Sequence, residues 1–307
     1  MARRGSSAAS GSCTPVGSGR VRVEYPPGRF LDGVQPRTVV SRVGCLSSGV
    51  RRIHAACAPV ASSGLVALQP MQDARTAVLC SGGLDSAVLL ASELRAAIVA
   101  ASDAADVRPV YVHSGFAWET EERRLAERLI AAPRFAGRVA PLAALDCPVT
   151  DTYRPGHWAL AGTPPGYATA DEEVYLVGRN VLLLAKVATW CAVNGIGRIA
   201  LGPLAGNPFP DATPEFLTAM QRALSLGLDH ELRLVTPFRR LSKAAVIARG
   251  RELGVPFELT LSCMNPRDGR HCGRCSKCRE RLEAFEAAGV ADPAAYAFRP
   301  ADVSTGV

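Results

Sequence analysis

No run of apolar residues approaches the roughly 18 that a membrane-crossing helix requires, so a spanning segment is excluded and a soluble, cytoplasmic protein with no membrane partner is expected. The chain also lacks a secretory apolar segment, so its ten cysteines do not read as the staples of a small secreted domain. Four of the ten fall between Cys263 and Cys278, a density that points to a metal held in a reducing compartment. Lysine is absent from residues 1–70, where nine arginines stand against Glu24 and Asp32. That stretch alone carries the chain's net charge of +7, and everything after it is neutral. A basic nucleic-acid-binding face on the folded part is therefore not expected, and a small-molecule substrate is. With 307 residues, 48% of them hydrophobic, the chain supports one principal domain and a small appendage.

Residues 1–70 show no sustained periodicity and are dense in Gly, Ser, Pro and Arg, which predicts a disordered extension. Two origins fit this composition: an organellar transit peptide, or upstream sequence read from a start codon chosen too early, with Met71 near the true start. The second is preferred. From Met71 onward, short apolar strands alternate with amphipathic helices. Strands are predicted at about 77–80, 107–112, 198–201 and 232–236, and helices at about 87–95, 119–131, 179–194, 214–226 and 242–253. Such alternation implies an α/β fold with a doubly wound parallel sheet, whose ligands bind at the carboxyl ends of the strands. The stretch 146–171, rich in Pro, Gly and Thr, is expected to be a mobile cover over that site. The expected division is a catalytic domain over 71–258, a four-cysteine segment over 259–285 and a tail over 286–307.

Ser81-Gly82-Gly83-Leu84-Asp85-Ser86 stands directly between an apolar strand ending at Cys80 and the helix of Ala87-Val88-Leu89-Leu90. Paired glycines let backbone approach a ligand, successive N–H groups form an anion-binding concavity, and the helix adds its positive end. Ser81 and Ser86 supply hydroxyl donors, while Asp85 is placed to cap the helix or orient a phosphate-bound Mg²⁺. No lysine follows the glycines, so the loop is not one built to hydrolyse a γ-phosphate. Cleavage between the α and β phosphates of ATP is the better reading. The motif in this setting resembles the PP-loop of the ATP-pyrophosphatases, with Cys80 to Leu90 as the nucleotide-binding stretch.

Cys263, Cys272, Cys275 and Cys278, the last three at intervals of three, place four thiolates within one short segment. Zinc takes four sulfurs in a closed tetrahedron, and Gly273 permits the tight turn between ligands, so a structural zinc site is expected. An iron–sulfur cluster is the rival, since some PP-loop tRNA-thiolating enzymes carry one. Cys80, Cys147 and Cys191 read as small core residues, and Cys13, Cys45 and Cys57 belong to the extension.

Further stretches, in order, resemble the 7-cyano-7-deazaguanine synthases of queuosine-precursor biosynthesis over about residues 76–285. Gly178-Arg179-Asn180 is similar to the family's Pro-Gly-Arg-Asn, and Pro210 to Phe216 to its Pro-Asp-Cys-Arg-x-Glu-Phe. Thr236-Pro237 followed by Lys243-Ala244 is similar to its Thr-Pro and Lys-Ala-Glu, and Thr260 through Arg279 resembles its zinc segment. The resemblance implies an ATP-dependent ligase that adenylates 7-carboxy-7-deazaguanine, aminates it with ammonia and dehydrates the amide to a nitrile, with a homodimer as the usual assembly. It implies catalytic work for Asp85, Arg179 and Lys243 on phosphate or carboxylate charge, and substrate contacts from Asn180, Asp211 and Glu215. Glu215 equally suits a helix first turn, and Lys243 a solvated helix face. Two segments depart from the family: His113-Ser114-Gly115-Phe116-Ala117-Trp118-Glu119 replaces Asp-Tyr-Gly-Gln-x-His, and Thr213 replaces an Arg. They leave open a paralogue that activates another carboxylic acid. Phe116 and Trp118 are candidates for stacking on a purine or for packing against the fold. A tRNA-thiolating enzyme is a further alternative, and the neutral charge and the lack of an evident exposed cysteine pair argue against it; a non-enzymatic zinc-binding module is the remaining one, and it would not need the glycine loop.

Overall fold

The computed structural model describes residues 75–100 and 107–298. The arginine-rich extension, its three cysteines and the end of the tail lie outside the described residues. Five parallel strands form one sheet in the order β3-β2-β1-β4-β5. They are β1 (Thr76–Leu79), β2 (Val107–His113), β3 (Ala143–Asp146), β4 (Arg198–Ala200) and β5 (Arg233–Val235). The chain winds outward from β1 to β3, then returns to place β4 on the other side of β1. The crevice beyond the carboxyl ends of β1 and β4 is therefore the switch point where ligands of doubly wound sheets bind.

The central β1 is apolar because both of its faces are covered. Pro109 sits in β2, inside the sheet, without breaking a ladder. Its nitrogen faces the β3 side, and β3 begins to pair only from Ala143, opposite Val110. The helices are α1 (Leu84–Val99), α2 (Glu119–Ala131), α3 (Trp158–Ala161), α4 (Arg179–Val193), α5 (Pro214–Leu228), α6 (Lys243–Glu252) and α7 (Ser276–Ala287). Leu84 and Ala87 to Leu94 of α1 are buried, packed with Val246 and Ile247 of α6.

The cysteine-bearing segment shares this core, since Ala284 and Phe285 of α7 belong to the same apolar cluster as Val88. Its far end is held by a buried ion pair. Arg281, with no exposed side-chain surface, donates to both carboxylate oxygens of Asp292, from Nε at 2.8 Å and from Nη2 at 2.9 Å, while Tyr296 donates to Asp292 at 2.6 Å. Asp292→Ala strands that guanidinium and is expected to cost about 3–5 kcal/mol, read as a lower urea midpoint. Burial pushes the Asp292 carboxyl up, but Arg281 outweighs it and holds the group below its ordinary 3.8. The pair's contribution is thus present above that value and lost as pH falls through the depressed one.

Candidate functional site

The loop after β1 is built to be open. Gly82 has φ +73°, and a Cβ there would lie 3.0 Å from the Glu122 carbonyl and 3.1 Å from Ala126 Cβ, so only glycine fits. Ser81 Oγ accepts from the Gly83 N–H at 3.2 Å, and the Ser86 hydroxyl donates to the Gly83 carbonyl at 2.9 Å. The N-cap of α1, Gly83, offers no side chain to the first N–H groups of the helix. Those donors and the positive helix end are left for an anion. Of the stretch Cys80 to Leu90, Cys80, Ser81, Gly83, Leu84, Asp85 and Ser86 line the cleft, whereas Ala87, Val88, Leu89 and Leu90 lie wholly in the core.

The loop sits at the meeting of two lobes of a cleft, about 280 and 400 Å³ in volume. One lobe runs over Leu79, Val110, Val112 and Tyr175; the other reaches Trp158, Lys243, Lys277 and Glu280. Across the second lobe runs a chain of alternating charges. Lys277 Nζ lies 2.6 Å from Glu280 Oε2, Glu280 Oε1 lies 2.5 Å from Lys243 Nζ, and Lys243 Nζ lies 3.4 Å from Asp85 Oδ2. Lys243 is therefore not a solvated helix residue. Burial alone would lower its ammonium, but Asp85 and Glu280 hold it above its ordinary value. Glu280 is pushed up by burial, yet Lys243 and Lys277 bring it down to about 2. Both groups stay charged across the neutral range. Among the described residues, Asp85 Oδ1 and Arg179 Nε are buried without a hydrogen-bond partner, and both residues line the cleft.

The other expected contacts fall differently. Asp211 is buried, and its carboxylate accepts from the Asn180 backbone N–H at 2.9 Å and from Asn180 Nδ2 at 3.3 Å. The pair fixes the entry to α4 beside Arg179, which leaves Asp211 and Asn180 largely engaged with each other. Glu215 is exposed in the first turn of α5 and does not line either lobe. Thr213, where the resembled family has Arg, caps that helix by accepting from Phe216 N at 3.2 Å.

The divergent segment wraps a buried acid. The Glu119 carboxylate, 2% exposed, accepts from the N–H groups of Ser114, Gly115 and Phe116 at 2.7 to 3.1 Å and meets His113 Nδ1 at 2.8 Å. Phe116 and Trp118 stack at 5.0 Å and Trp118 on Trp158 at 5.8 Å, so these rings pack chiefly against one another. The stretch expected to be a mobile cover is tied to α7, with Ser276 N donating to Pro165 O at 3.3 Å and Arg279 pairing with Asp171 at 3.1 Å. Sequence reading missed Glu122, buried on α2, which accepts from Tyr111 at 3.1 Å and borders both lobes.

Cys263, Cys272, Cys275 and Cys278 are all buried, with their sulfurs within 4.8 Å of one another. Sulfurs 2.3 Å from one tetrahedral zinc stand about 3.8 Å apart; here Cys272 and Cys278 are 3.9 Å apart and Cys275 and Cys278 3.5 Å. Backbone N–H groups of Asn265 and Cys272 donate to Cys263 Sγ at 3.3 and 3.2 Å, as thiolate sulfurs require. Spacing this close suits one ion, whereas a multi-iron cluster forces its thiolates apart. Gly273, at φ +75°, has no room for a side chain, since a Cβ would fall 1.8 Å from the Phe298 carbonyl. The cluster also reaches the loop: Leu261, just before Cys263, donates its N–H to the Gly82 carbonyl at 2.9 Å.

An anion-cradling loop at the switch point of a parallel sheet, flanked by a four-thiolate centre, defines a PP-loop protein of the α/β class. The chain belongs to the family described as Queuosine biosynthesis protein QueC, whose pattern matches residues 75–289. It is 36% identical over 238 residues to the 7-cyano-7-deazaguanine synthase of Anaeromyxobacter dehalogenans, an alignment covering 73% of this chain and 96% of that protein. It is 36% identical to the 7-cyano-7-deazaguanine synthase of Thiobacillus denitrificans over 234 residues, 72% of this chain and 97% of that one. The synthase of the same name from Methanoculleus marisnigri is 34% identical over 228 residues, 71% of this chain and 96% of its own. Among the described residues, no helix is long and apolar enough to cross a membrane.

Proposed function

We propose that the chain is an ATP-dependent carbon–nitrogen ligase that converts 7-carboxy-7-deazaguanine and ammonia into 7-cyano-7-deazaguanine through an acyl adenylate. The observation that carries this reading is the convergence in one cleft of the uncapped start of α1, Asp85 Oδ1 and Arg179 Nε, the last two buried and unpartnered. Buried polar atoms left without partners cost stability, so they persist where a ligand completes them. ATP with Mg²⁺ supplies the adenylyl group that activates the acid. The loop N–H groups would hold phosphate oxygens, Asp85 would hold the accompanying cation, and Arg179 and Lys243 would stabilise charge on phosphate and carboxylate. Tyr175 and Phe209, stacked at 5.1 Å, wall the apolar lobe, which suits a purine. Zinc in the cysteine site would act as a structural pin.

The test is pyrophosphate release with ATP, Mg²⁺ and ammonium, with and without 7-carboxy-7-deazaguanine, and products followed by mass. Nitrile formation coupled to pyrophosphate is expected. A folded, metal-loaded protein inert to this acid but active on another carboxylic acid would move the reading to a paralogue. Against the thiolating alternative, burial pushes the Cys80 thiol up to about 11 and the Cys191 thiol to about 12, and among the described cysteines outside the cluster Cys147 is the one that is not buried. A persulfide relay needs a reactive pair. On the same reading Gly82→Ala, which forces a side chain to a left-handed φ, is expected to weaken ATP binding about tenfold, or ~1–2 kcal/mol, in a calorimetric titration.

A further inference from the structure

The ionisable side chains that border both lobes are Asp85, Glu122 and Arg179. The geometry points to Glu122 as the proton acceptor of the amination step, a function that rests on the ligase reading: its carboxylate takes the proton shed by nitrogen at the activated carbonyl. Placement supports this first. Where the two lobes meet, nucleotide and acid would be joined, and the attacked carbon would lie there.

Elimination supports it next. Asp85 is paired with Lys243, Asp171 with Arg279, and the Asp211 carboxylate is held by Asn180. Glu280 lies between two lysines and stays ionised, Lys243 stays protonated, and Arg179 is a permanent cation. Among the described residues, Glu122 is the carboxylate of this cleft that is neither ion-paired within 4.0 Å nor clamped by an amide: it accepts from the Tyr111 hydroxyl at 3.1 Å, and Arg179 acts on it from further away. The titratable and charged groups that act on it or feel it are Tyr111 from β2, Glu119 from its own helix, Arg179 from α4 and Cys80 after β1. Burial, against the pull of Arg179 and with the push of Glu119, raises its carboxyl to about 7. A base poised near the working pH is the most effective one.

The step balances. The nitrogen lone pair of ammonia forms the new C–N bond. The bond from the carbonyl carbon to the phosphate-bearing oxygen breaks, and its electron pair leaves with AMP. One N–H proton passes to a Glu122 oxygen and is returned to solvent when products depart. When the amide is activated in its turn, forming the nitrile again requires protons to leave nitrogen, at the same place.

The experiment compares wild type and Glu122→Gln, which preserves side-chain shape, in rapid-quench assays with 7-carboxy-7-deazaguanine, ATP, Mg²⁺ and either ammonium or hydroxylamine. Hydroxylamine is neutral at pH 7 and traps acyl adenylates as hydroxamates without needing a strong base. We expect hydroxamate formation within about threefold of wild type and amide formation lower by roughly 100-fold at pH 7, the deficit narrowing as pH falls below 7 and the wild-type carboxylate takes up its proton. The wild-type acid limb near pH 7 should vanish in the variant. At pH 8 the variant should also melt higher. The wild-type carboxyl is raised above its ordinary 4.5 to about 7, so stability present below the first value is lost as pH rises through the second. Equal loss of hydroxamate and amide, or full-rate amide formation, overturns the proposal alone. A wild type that releases no pyrophosphate with this acid overturns the ligase reading and the proposal with it.

Discussion

Cys278→Ser is expected to strip the bound metal and lower the melting temperature by roughly 10 °C or more, an effect that a zinc chelator should reproduce in the wild type. Cys278 is fully buried, 3.9 Å from Cys272 Sγ and 3.5 Å from Cys275 Sγ, so a hydroxyl in its place removes one of four ligands and leaves three close thiols without their ion. The damage should spread because the segment is anchored at several points. Leu261 holds the Gly82 carbonyl, Ser276 and Arg279 hold the stretch from Pro165 to Asp171, and Phe285 sits in the main core. Ligand binding at the loop should weaken along with stability. Metal content by a chromophoric chelator and melting by calorimetry check both parts; a variant that keeps its metal and its melting temperature would sink the idea that this centre pins the cleft.

Most of the sheet was readable because its strands are short apolar runs and its helices keep the helical period. The strands at 107–112 and 198–201 and the helices at 119–131 and 179–194 emerged within a residue or two of β2, β4, α2 and α4. β3 was missed because Ala143-Ala144-Leu145-Asp146 has little β-branched or aromatic character, and an edge strand needs little. α7 was hidden beneath the cysteines that open it, since its charged residues read as part of the metal segment. The site divides the same way. The glycine loop and the cysteines are contiguous and carry their chemistry in their spacing. Asp211 and Asn180, expected as ligand contacts, both line the first lobe, but sequence does not reveal the hydrogen bond that joins them there. Glu122 sits in a run with Glu119 and Glu121 that looks like a solvated helix face. Only the fold, by setting Tyr111 and the cleft against it, makes it buried.

Arg179→Ala is expected to lower kcat/KM for the acid about 10²–10³-fold, or ~2.7–4 kcal/mol, the loss typical when a donor aimed at developing charge is removed. Its guanidinium stands 6.0 Å from the Phe116 ring, borders both lobes, and carries a buried Nε without a partner. Arg179→Lys should recover less than about tenfold of that loss, because a point charge lacks the planar fork that grips phosphate or carboxylate at two oxygens. The free enzyme should tolerate the change, since little in the unliganded fold depends on that Nε. A second consequence separates charge from shape. Arg179 pulls the Glu122 carboxyl down from where burial alone would set it, so its removal should move the acid limb of the remaining activity above pH 7, while Arg179→Lys should leave the limb near its wild-type place. A pH profile of kcat/KM for the three proteins measures both. An unmoved limb in Arg179→Ala would mean that the residue grips substrate without electrostatic contact with Glu122.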